Sequence, residues 1–250
     1  MSYAYFSKFY DTLTSNIPYR TRGEYFHAIL KQNPPPGPIL LDLACGTGSL
    51  SEVMASLSYD VIGVDSSEEM LMEAMNKKYD SGLDILYLCQ DMTALDLYGT
   101  VDCCICALDS LNHLPNSEAV LKAFQNVSLF LAPDGIFIFD MNTIYKHEKV
   151  LSDKVFVYDT DDVFCVWQNS PCHDRTIDIT LDFFAEAHAG QYTRETETFS
   201  ERAYSHDEIC ALIEQAGLSL LTCYKGDTFD PPDETTERVV YVTKSKKQKG

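Results

Sequence analysis

Two glycines lie between a short apolar run and a helical pattern near the start of the chain. This arrangement restricts the folds that the chain can adopt. Residues 39–43 predict a buried strand, residues 49–57 predict a helix, and Gly46 and Gly48 form the turn between them. Glycine adopts positive φ and lets backbone approach a ligand closely, and the helix N-terminus supplies unpaired N–H groups. Asp65 ends the next predicted strand, where a carboxylate can accept both hydroxyls of a ribose. The pattern therefore predicts a site for an adenosine-containing ligand.

Strands and helices continue to alternate beyond this turn. The further predicted strands lie at residues 61–65, 84–88, 101–108, 136–140, 218–224 and 239–243, and the further helices at 67–78, 117–131 and 205–215. A turn at 133–135 is expected to lead into the fifth strand. Because strands that alternate with helices form parallel β-α-β units with right-handed crossovers, we expect an α/β fold with a doubly wound sheet.

The chain divides by composition into distinct parts. They are a helical cap at 1–37, a main domain at 38–150 and 205–243, a β-rich insertion at 151–204 and a basic tail at 244–250. The cap is expected to hold helices at 2–13 and 18–31. Within the insertion, residues 176–186 alternate apolar and polar side chains, as a half-buried antiparallel strand does, and Ala189 and Gly190 turn the chain back.

Acidic side chains outnumber basic ones by 38 to 19, which gives a formal net charge of −19. Phosphate backbones are bound through clustered Lys and Arg, so this excess weighs against a nucleic-acid partner. The tail is the exception, because it holds Lys244, Lys246, Lys247 and Lys249. We expect it to be a frayed, solubilising end.

The nine cysteines form an odd set without a secretory context, so they are expected to be reduced and mostly buried. Cys103 and Cys106 make a C-x-x-C, but they lie in an apolar strand and no second pair follows, so no metal is expected. No apolar run approaches the length of about 20 residues that a membrane helix needs, and the N-terminus lacks signal-peptide features. We expect a cytoplasmic monomer or homodimer with no membrane partner.

The residues after the first strand match neither a dinucleotide-binding motif nor a triphosphate-binding motif. A dinucleotide fingerprint places a third small residue where this chain has Ser51, and the chain has no triphosphate-binding G-x-x-x-x-G-K-[ST]. Residues 42–48, Asp-Leu-Ala-Cys-Gly-Thr-Gly, instead resemble the glycine motif of the class I S-adenosylmethionine-dependent methyltransferases. Ala44 replaces a common first glycine of that motif. The resemblance covers residues 38–145 and resumes at 205–243.

Other segments carry the same resemblance. Asp65 matches the ribose-binding acid of the family, Asp91 matches the acid that binds the adenine amino group, and Met92 matches the apolar neighbour on the ring. Residues 108–113 match the segment after the fourth strand that borders methionine and substrate. The N-terminal aromatic residues resemble those of bacterial members whose capping helices cover the cofactor: Tyr5, Phe6, Phe9, Tyr10 and Tyr19.

The resemblance implies a Rossmann-like, seven-stranded, mostly parallel sheet with an antiparallel last strand, and S-adenosylmethionine as the cofactor. It implies cofactor contacts from Tyr10, Tyr19, Asp42, Ala44, Cys45, Gly46, Gly48, Asp65, Ser66, Met70, Asp91, Met92, Leu108 and Asp109. It implies methyl transfer by in-line displacement to an amine or hydroxyl of a small molecule. His113 is the candidate general base, although a histidine at this place can also simply cap the next helix.

Two other functions stay open at this point, a non-catalytic module that binds the cofactor and a protein or RNA methyltransferase. Residues 230–233, Asp-Pro-Pro-Asp, are similar to the D-P-P-Y motif of enzymes that methylate bases, but they lie in the last loop and lack the stacking aromatic. The acid-rich insertion is expected to lie over the strand C-termini, where open α/β sheets bind ligands. The acidic and aromatic content of the insertion suits a small amine or polar metabolite.

Overall fold

A computed structural model describes residues 6–188 and 190–248 of the chain. The strands are, in chain order, β1 (Ile39–Leu43), β2 (Asp60–Asp65), β3 (Ile85–Cys89), β4 (Val101–Cys106), β5 (Leu131–Asn142), β6 (Val155–Asp159), β7 (Phe164–Asn169), β8 (Thr176–His188), β9 (Gln191–Arg202), β10 (Leu218–Lys225) and β11 (Arg238–Ser245). The helices are α1 (Phe6–Leu13), α2 (Tyr19–Gln32), α3 (Ser49–Ser56), α4 (Glu68–Ser81), α5 (Ser117–Phe130) and α6 (His206–Gln215). The predictions for residues 2–5, Ala189 and Lys249 lie outside the described residues.

Seven strands form the main sheet, in the order β10-β11-β5-β4-β1-β2-β3. β1 pairs in parallel with both β2 and β4, and β11 runs antiparallel to both β5 and β10. The predicted α/β fold with an antiparallel last strand is therefore confirmed. Between β1 and β4 the winding of the chain reverses, and open α/β sheets bind ligands in the crevice at such a switch point.

Apolar layers cover both faces of the main sheet. Neighbouring residues of β4 belong to different layers, since Cys104 packs with Phe124 and Phe139 while Cys103 packs with Phe26. The rings of Phe124 and Phe139 lie 4.9 Å apart between α5 and β5. This burial on both faces explains why the parallel strands have apolar sequences without alternation.

The insertion forms its own antiparallel sheet, in the order β6-β7-β8-β9. The alternating residues of β8 behave as predicted, because Ile177, Ile179 and Phe183 are fully buried on one face. The cap covers that face: Phe9 of α1 belongs to the same apolar cluster, and its ring stacks 6.4 Å from the ring of Phe183. Helix α1 therefore joins the insertion to the main domain.

Two predicted strand boundaries are wrong, for reasons of backbone geometry. β5 begins at Leu131, and the predicted turn at 133–135 is a bulge within it, with Asp134 at φ 65°. Across that bulge Val101 of β4 pairs with Leu131, and Cys103 pairs with Ile136. β4 itself ends at Cys106 rather than at residue 108.

The expectation of a frayed basic tail is also wrong for residues 244–248. β11 continues to Ser245, so Lys244 is a strand residue, and it makes a 2.7 Å ion pair with Asp134. The Lys247 ammonium donates to the carbonyls of Leu129 and Leu131 at 2.6 and 2.9 Å. A cation at that place satisfies unpaired carbonyls at the end of α5 and complements the helix dipole.

Candidate functional site

A cavity of about 300 Å³ opens at the carboxyl ends of β1, β2 and β4. It is lined by Phe6, Tyr10, Ala44, Gly46, Asp65, Ser66, Met70, Asp91, Met92, Leu108, Ser110, His113, Leu114 and Pro115. The structure therefore brings nine of the predicted cofactor contacts and His113 to one place. Tyr19, Asp42 and Cys45 line a neighbouring hollow of about 40 Å³ beneath the glycine turn. Gly48 and Asp109 line neither of these two cavities.

The glycine turn leaves open space on the cavity side and is tightly packed behind. Gly46 has φ 54°, and a Cβ added there would meet no atom within 4 Å. Gly48 has φ 76°, and a Cβ added there would overlap the Tyr87 hydroxyl. The backbone at Gly46 can therefore approach a bound ligand closely, whereas the glycine at 48 serves packing and turn geometry.

Ala44 occupies a conformation that suits glycine better. Its φ is 59°, in the left-handed region where a Cβ crowds the following carbonyl. We expect Ala44→Gly to stabilise the protein by about 0.5–1 kcal/mol, because relief of the strain exceeds the entropy that glycine adds to the unfolded chain. Urea denaturation measures the change. Ala211→Gly, within the exposed face of α6, is the matched control and is expected to destabilise by about as much. Equal signs for the two variants would contradict the strain at Ala44.

Asp65 holds the turn from the end of β2. Its Oδ2 accepts the Gly46 N–H at 2.9 Å, and its Oδ1 accepts the Ser67 N–H at 2.9 Å. Burial raises the pKa of Asp65, and these two N–H groups act in the opposite direction. The carboxylate lies in the cavity wall, so it is both a support of the turn and a candidate acceptor for ligand hydroxyls.

Asp42 and Cys45 lie under the turn rather than above it. The Ser51 hydroxyl donates to Asp42 Oδ2 at 2.5 Å, and burial raises the pKa of this carboxyl to about 7 despite that bond. The Cys45 N–H donates to the Val64 carbonyl at 3.0 Å. Burial raises the pKa of the Cys45 thiol. These contacts tie the turn to α3 and β2.

The opposite wall of the cavity is built by a short 3₁₀ turn, Met92–Ala94. Asp91 caps it, because its Oδ1 accepts from the N–H and the hydroxyl of Thr93, both at 2.7 Å. Asn126 of α5 donates to the Met92 carbonyl at 3.0 Å. This wall therefore presents a fixed carboxylate beside an apolar side chain, and the predicted adenine contacts of Asp91 and Met92 stay predictions.

The segment after β4 turns sharply, and a buried carboxylate that the sequence did not single out holds it. Leu108 and Asp109 have φ of 58° and 55°, a strained conformation for residues other than glycine. Their N–H groups donate to Asp140 Oδ2 at 3.0 Å and Oδ1 at 2.7 Å. Arg22 and Arg238 pair with the same carboxylate at 2.8 and 2.7 Å.

The carboxylate of Asp109 is bound by other side chains of the same protein. Burial would raise its pKa, but Arg238 and Lys146 outweigh burial and hold the pKa well below its usual range. Oδ1 lies 3.1 Å from Arg238, and Oδ2 accepts from the Asn142 amide. Its predicted contact with a cofactor stays a prediction.

Helix α1 is clamped over the glycine turn by polar contacts. The Thr47 hydroxyl donates to Asp11 Oδ1 at 2.7 Å, and Lys77 of α4 makes an ion pair with Asp11 Oδ2. Lys77 also donates to the hydroxyls of Thr47 and Ser49 at 3.0 and 2.7 Å. On the same helix, burial and the neighbouring Tyr19 raise the pKa of Tyr10. The cap therefore closes one side of the cavity.

We expect Asp11→Asn to loosen the cap. The change removes the ion pair with Lys77 and weakens the bond with Thr47, which are partly exposed contacts worth about 1 kcal/mol together. Amide hydrogen exchange across α1 should become about fivefold faster, since 1 kcal/mol changes the opening equilibrium by that factor. Asp80→Asn, at an exposed site on α4, should leave exchange in α1 unchanged. Unchanged exchange in Asp11→Asn would show that apolar packing alone holds the helix.

Within 6–188 and 190–248, no group of three or more His, Cys, Asp or Glu side chains could hold a metal ion. All nine cysteines are free thiols. In the same part of the chain, none of the helices combines the length and apolar character needed to cross a membrane.

Comparisons of sequence agree with this geometry. A family model for a methyltransferase domain matches residues 40–135. A protein of Geobacillus sp. (strain WCH70), whose name classes it as a methyltransferase, is 31% identical over 246 residues, which cover 98% of this chain and 100% of the relative. YqeM of Bacillus subtilis (strain 168), classed in the same way, is 33% identical over 248 residues, which cover 99% of this chain and 98% of the relative. Neither name states a substrate.

Comparisons of structure show the same similarity over nearly the whole chain. The crystal structure of an S-adenosylmethionine-dependent methyltransferase from Clostridium acetobutylicum ATCC 824 superposes with a TM-score of 0.87 and 33% identity, over 96% of this chain and 97% of that one. The sugar N-methyltransferase KedS8 from Streptoalloteichus sp ATCC 53650 superposes with a TM-score of 0.78 and 18% identity, over 95% of this chain and 92% of that one. The second similarity concerns the fold alone.

Proposed function

Because this chain belongs to the class I S-adenosylmethionine-dependent methyltransferases, we propose that it methylates an amine or hydroxyl of a small molecule. The observation that carries the proposal is the partial cover of the site by the cap and the insertion. The cavity of about 300 Å³ is covered by Phe6 and Tyr10 of the cap, and His113 in its wall lies 3.6 Å from Glu201 of the insertion. An acceptor must fit beneath these elements, which favours a metabolite over a folded protein or RNA.

The lining of the cavity fits the cofactor part by part. Asp65 would accept the ribose hydroxyls, and Asp91 would accept the adenine amino group, with Met70 and Met92 against the ring. The open backbone at Gly46 would lie along the methionine part. When bound, S-adenosylmethionine supplies a methyl group on a positively charged sulfur, so alignment of the acceptor contributes much of the rate.

The charge of the covering elements supports a small polar acceptor. The insertion carries 11 acidic and four basic residues, and such a surface repels the phosphates of RNA. The fold is shared with the sugar N-methyltransferase KedS8, so this architecture can accommodate a small polar acceptor. His113 is the candidate proton acceptor where the acceptor is a hydroxyl.

Calorimetry with S-adenosylmethionine and with its demethylated product, S-adenosylhomocysteine, tests the cofactor assignment first. We expect both to bind, because the adenosine contacts are common to them. A panel of amines and hydroxyl metabolites, with the methyl group of the cofactor isotopically labelled, then tests the acceptor class. Label transferred to polypeptide or RNA but to no member of the panel would overturn the small-molecule proposal.

A further inference from the structure

A second cavity, of about 500 Å³, lies outside the cofactor site. Its walls come from the segment after β5, the connection between β9 and α6, the loop between β10 and β11, and those two strands. Its lining shares no residue with the cofactor cavity or with the hollow beneath the glycine turn. Pockets for small molecules have volumes of about 300–1,000 Å³. The second cavity is therefore large enough for a ligand of its own.

Aromatic rings form one wall of the second cavity. Tyr145 follows β5, His206 begins α6, and Tyr241 lies on β11. The rings of His206 and Tyr241 stack, with their centroids 5.8 Å apart and their planes inclined by 14°. Tyr145 is half-buried and His206 is exposed, so a ligand in the cavity can reach both. Because the face of a tyrosine ring carries partial negative charge, this wall favours a cation with an apolar body.

The loop between β10 and β11 forms a second wall that its own hydrogen bonds fix. It contains the Asp-Pro-Pro-Asp sequence at 230–233, whose last two residues line the second cavity rather than the cofactor site. Asp233 Oδ1 accepts from the N–H and the hydroxyl of Thr235 at 2.8 and 2.7 Å. The Thr143 hydroxyl donates to the Thr236 carbonyl at 2.6 Å, which ties the loop to the end of β5. The cavity is therefore formed before any ligand enters.

The charge of the lining is negative. Two carboxylates line the cavity, and none of the described lining residues is a Lys or an Arg. Asp233 is already compensated, because it makes an ion pair with Lys225. Glu234 is exposed and makes no ion pair with any of the described residues. A positively charged ligand would therefore complement both Glu234 and the ring faces.

The start of α6 does not offer an alternative site for an anion. Helix N-termini attract anions through unpaired N–H groups, but here a carboxylate of the chain already lies at the N-terminus. Glu208 Oε2 accepts the Ser205 N–H at 2.7 Å, and the Ser205 hydroxyl accepts the Glu208 N–H at 3.3 Å. An anionic ligand would be repelled by this carboxylate and by Glu234.

We propose that the second cavity binds an organic cation, an alkylammonium or arylalkylammonium ion. Its charged nitrogen lies beside Glu234, and its apolar body lies against the rings of Tyr145, His206 and Tyr241, which line the cavity. This ligand is distinct from the cofactor and from the methyl acceptor of the proposed function, because the two cavities have no lining residue in common.

Three probes with the same phenyl body separate charge from shape: 2-phenylethylammonium, 2-phenylethanol and phenylacetate. Each is titrated into ¹⁵N-labelled protein that holds S-adenosylhomocysteine, at about pH 8, where histidine side chains are mostly neutral. Amide shifts at residues 143–145, His206 and Glu234 report on the second cavity, and those at Gly46 and Ser110 report on the cofactor cavity. We expect the ammonium ion to bind at the second cavity at least about fivefold more tightly than the alcohol, and phenylacetate to bind more weakly than both.

Two variants test the contacts of the ammonium ion. Glu234→Gln should weaken its binding about threefold and leave the alcohol unchanged, because only the charge is removed. Tyr145→Leu should weaken its binding about fivefold, because the ring is lost while apolar bulk is kept. The matched controls are Glu237→Gln, an exposed carboxylate of the same loop outside the lining, and Tyr98→Leu, a fully exposed tyrosine. Both controls should keep the wild-type affinity.

Several results would overturn the cation site. They are equal affinities for the ammonium ion and the alcohol, tighter binding of phenylacetate, amide shifts confined to the cofactor cavity, and no shift at the second cavity at millimolar concentrations of the ammonium ion. Wild-type affinity for the ammonium ion in both Glu234→Gln and Tyr145→Leu would do the same. Failure of S-adenosylhomocysteine to bind would instead count against the proposed function, since the amides around the second cavity report on their own ligand in either case.

Discussion

Asp65→Ala is expected to weaken the binding of S-adenosylmethionine by at least about 100-fold. Under the proposed function the carboxylate accepts the two ribose hydroxyls, and each hydrogen bond to a charged group contributes about 1.5–3 kcal/mol. The variant also removes the acceptor of the Gly46 and Ser67 N–H groups, each at 2.9 Å. The glycine turn therefore loses its support at the same time as the ligand loses its partner. Calorimetric titration gives the two dissociation constants.

The matched control is Asp60→Ala, at the other end of β2. Asp60 is exposed and begins the same strand, so its loss tests the effect of one charge without touching the cavity. We expect wild-type affinity and nearly wild-type thermal stability from this control, whereas Asp65→Ala should also lose thermal stability because the Gly46 and Ser67 N–H groups lose their acceptor. An affinity of Asp65→Ala within about threefold of the wild type would exclude Asp65 from the ribose site, since two charged hydrogen bonds cannot be so weak.

Much of the sheet could be predicted because its signals are local. The apolar run at β1, the glycine turn and the start of α3 are contiguous in sequence, and the Ser205–Glu208 capping box that opens α6 spans a single turn. The errors arose where tertiary pairing decides the backbone. The bulge at Asp134 exists because β5 pairs with β4 on both sides of it, and no local residue pattern reveals that pairing.

The residues of the candidate site also fall into two groups, those that a local motif predicts and those that it does not. The glycine turn and Asp65 could be predicted because a motif places them after consecutive strands. Asp140, Arg238 and Glu201 could not, because each acts on residues far away in the chain. Arg238 meets Asp140 from the last strand, and Glu201 meets His113 from the insertion. In the same way, the net negative charge of the sequence does not reveal which acidic side chains are paired in the fold.

Asp140→Ala is expected to destabilise the protein by about 3–5 kcal/mol. The side chain of Asp140 is 0% exposed, and it pairs with Arg22 and Arg238 while accepting the N–H groups of Leu108 and Asp109. Removal of one member of a buried ion pair leaves an uncompensated charge, which accounts for that cost. Urea denaturation monitored by circular dichroism measures the loss.

The control for this prediction shares one of the same arginines. Asp227 pairs with Arg22 at 2.8 Å, but its side chain is 30% exposed, so Asp227→Ala should cost about 1 kcal/mol or less. The strained turn gives a second measure, because without Asp140 the left-handed conformations of Leu108 and Asp109 lose their acceptors. Hydrogen exchange at these two amides should therefore rise in Asp140→Ala by more than the global stability loss predicts. Equal costs for the two variants would mean that Arg22 and Arg238 find other partners, and that Asp140 does not hold the turn beside the cofactor cavity.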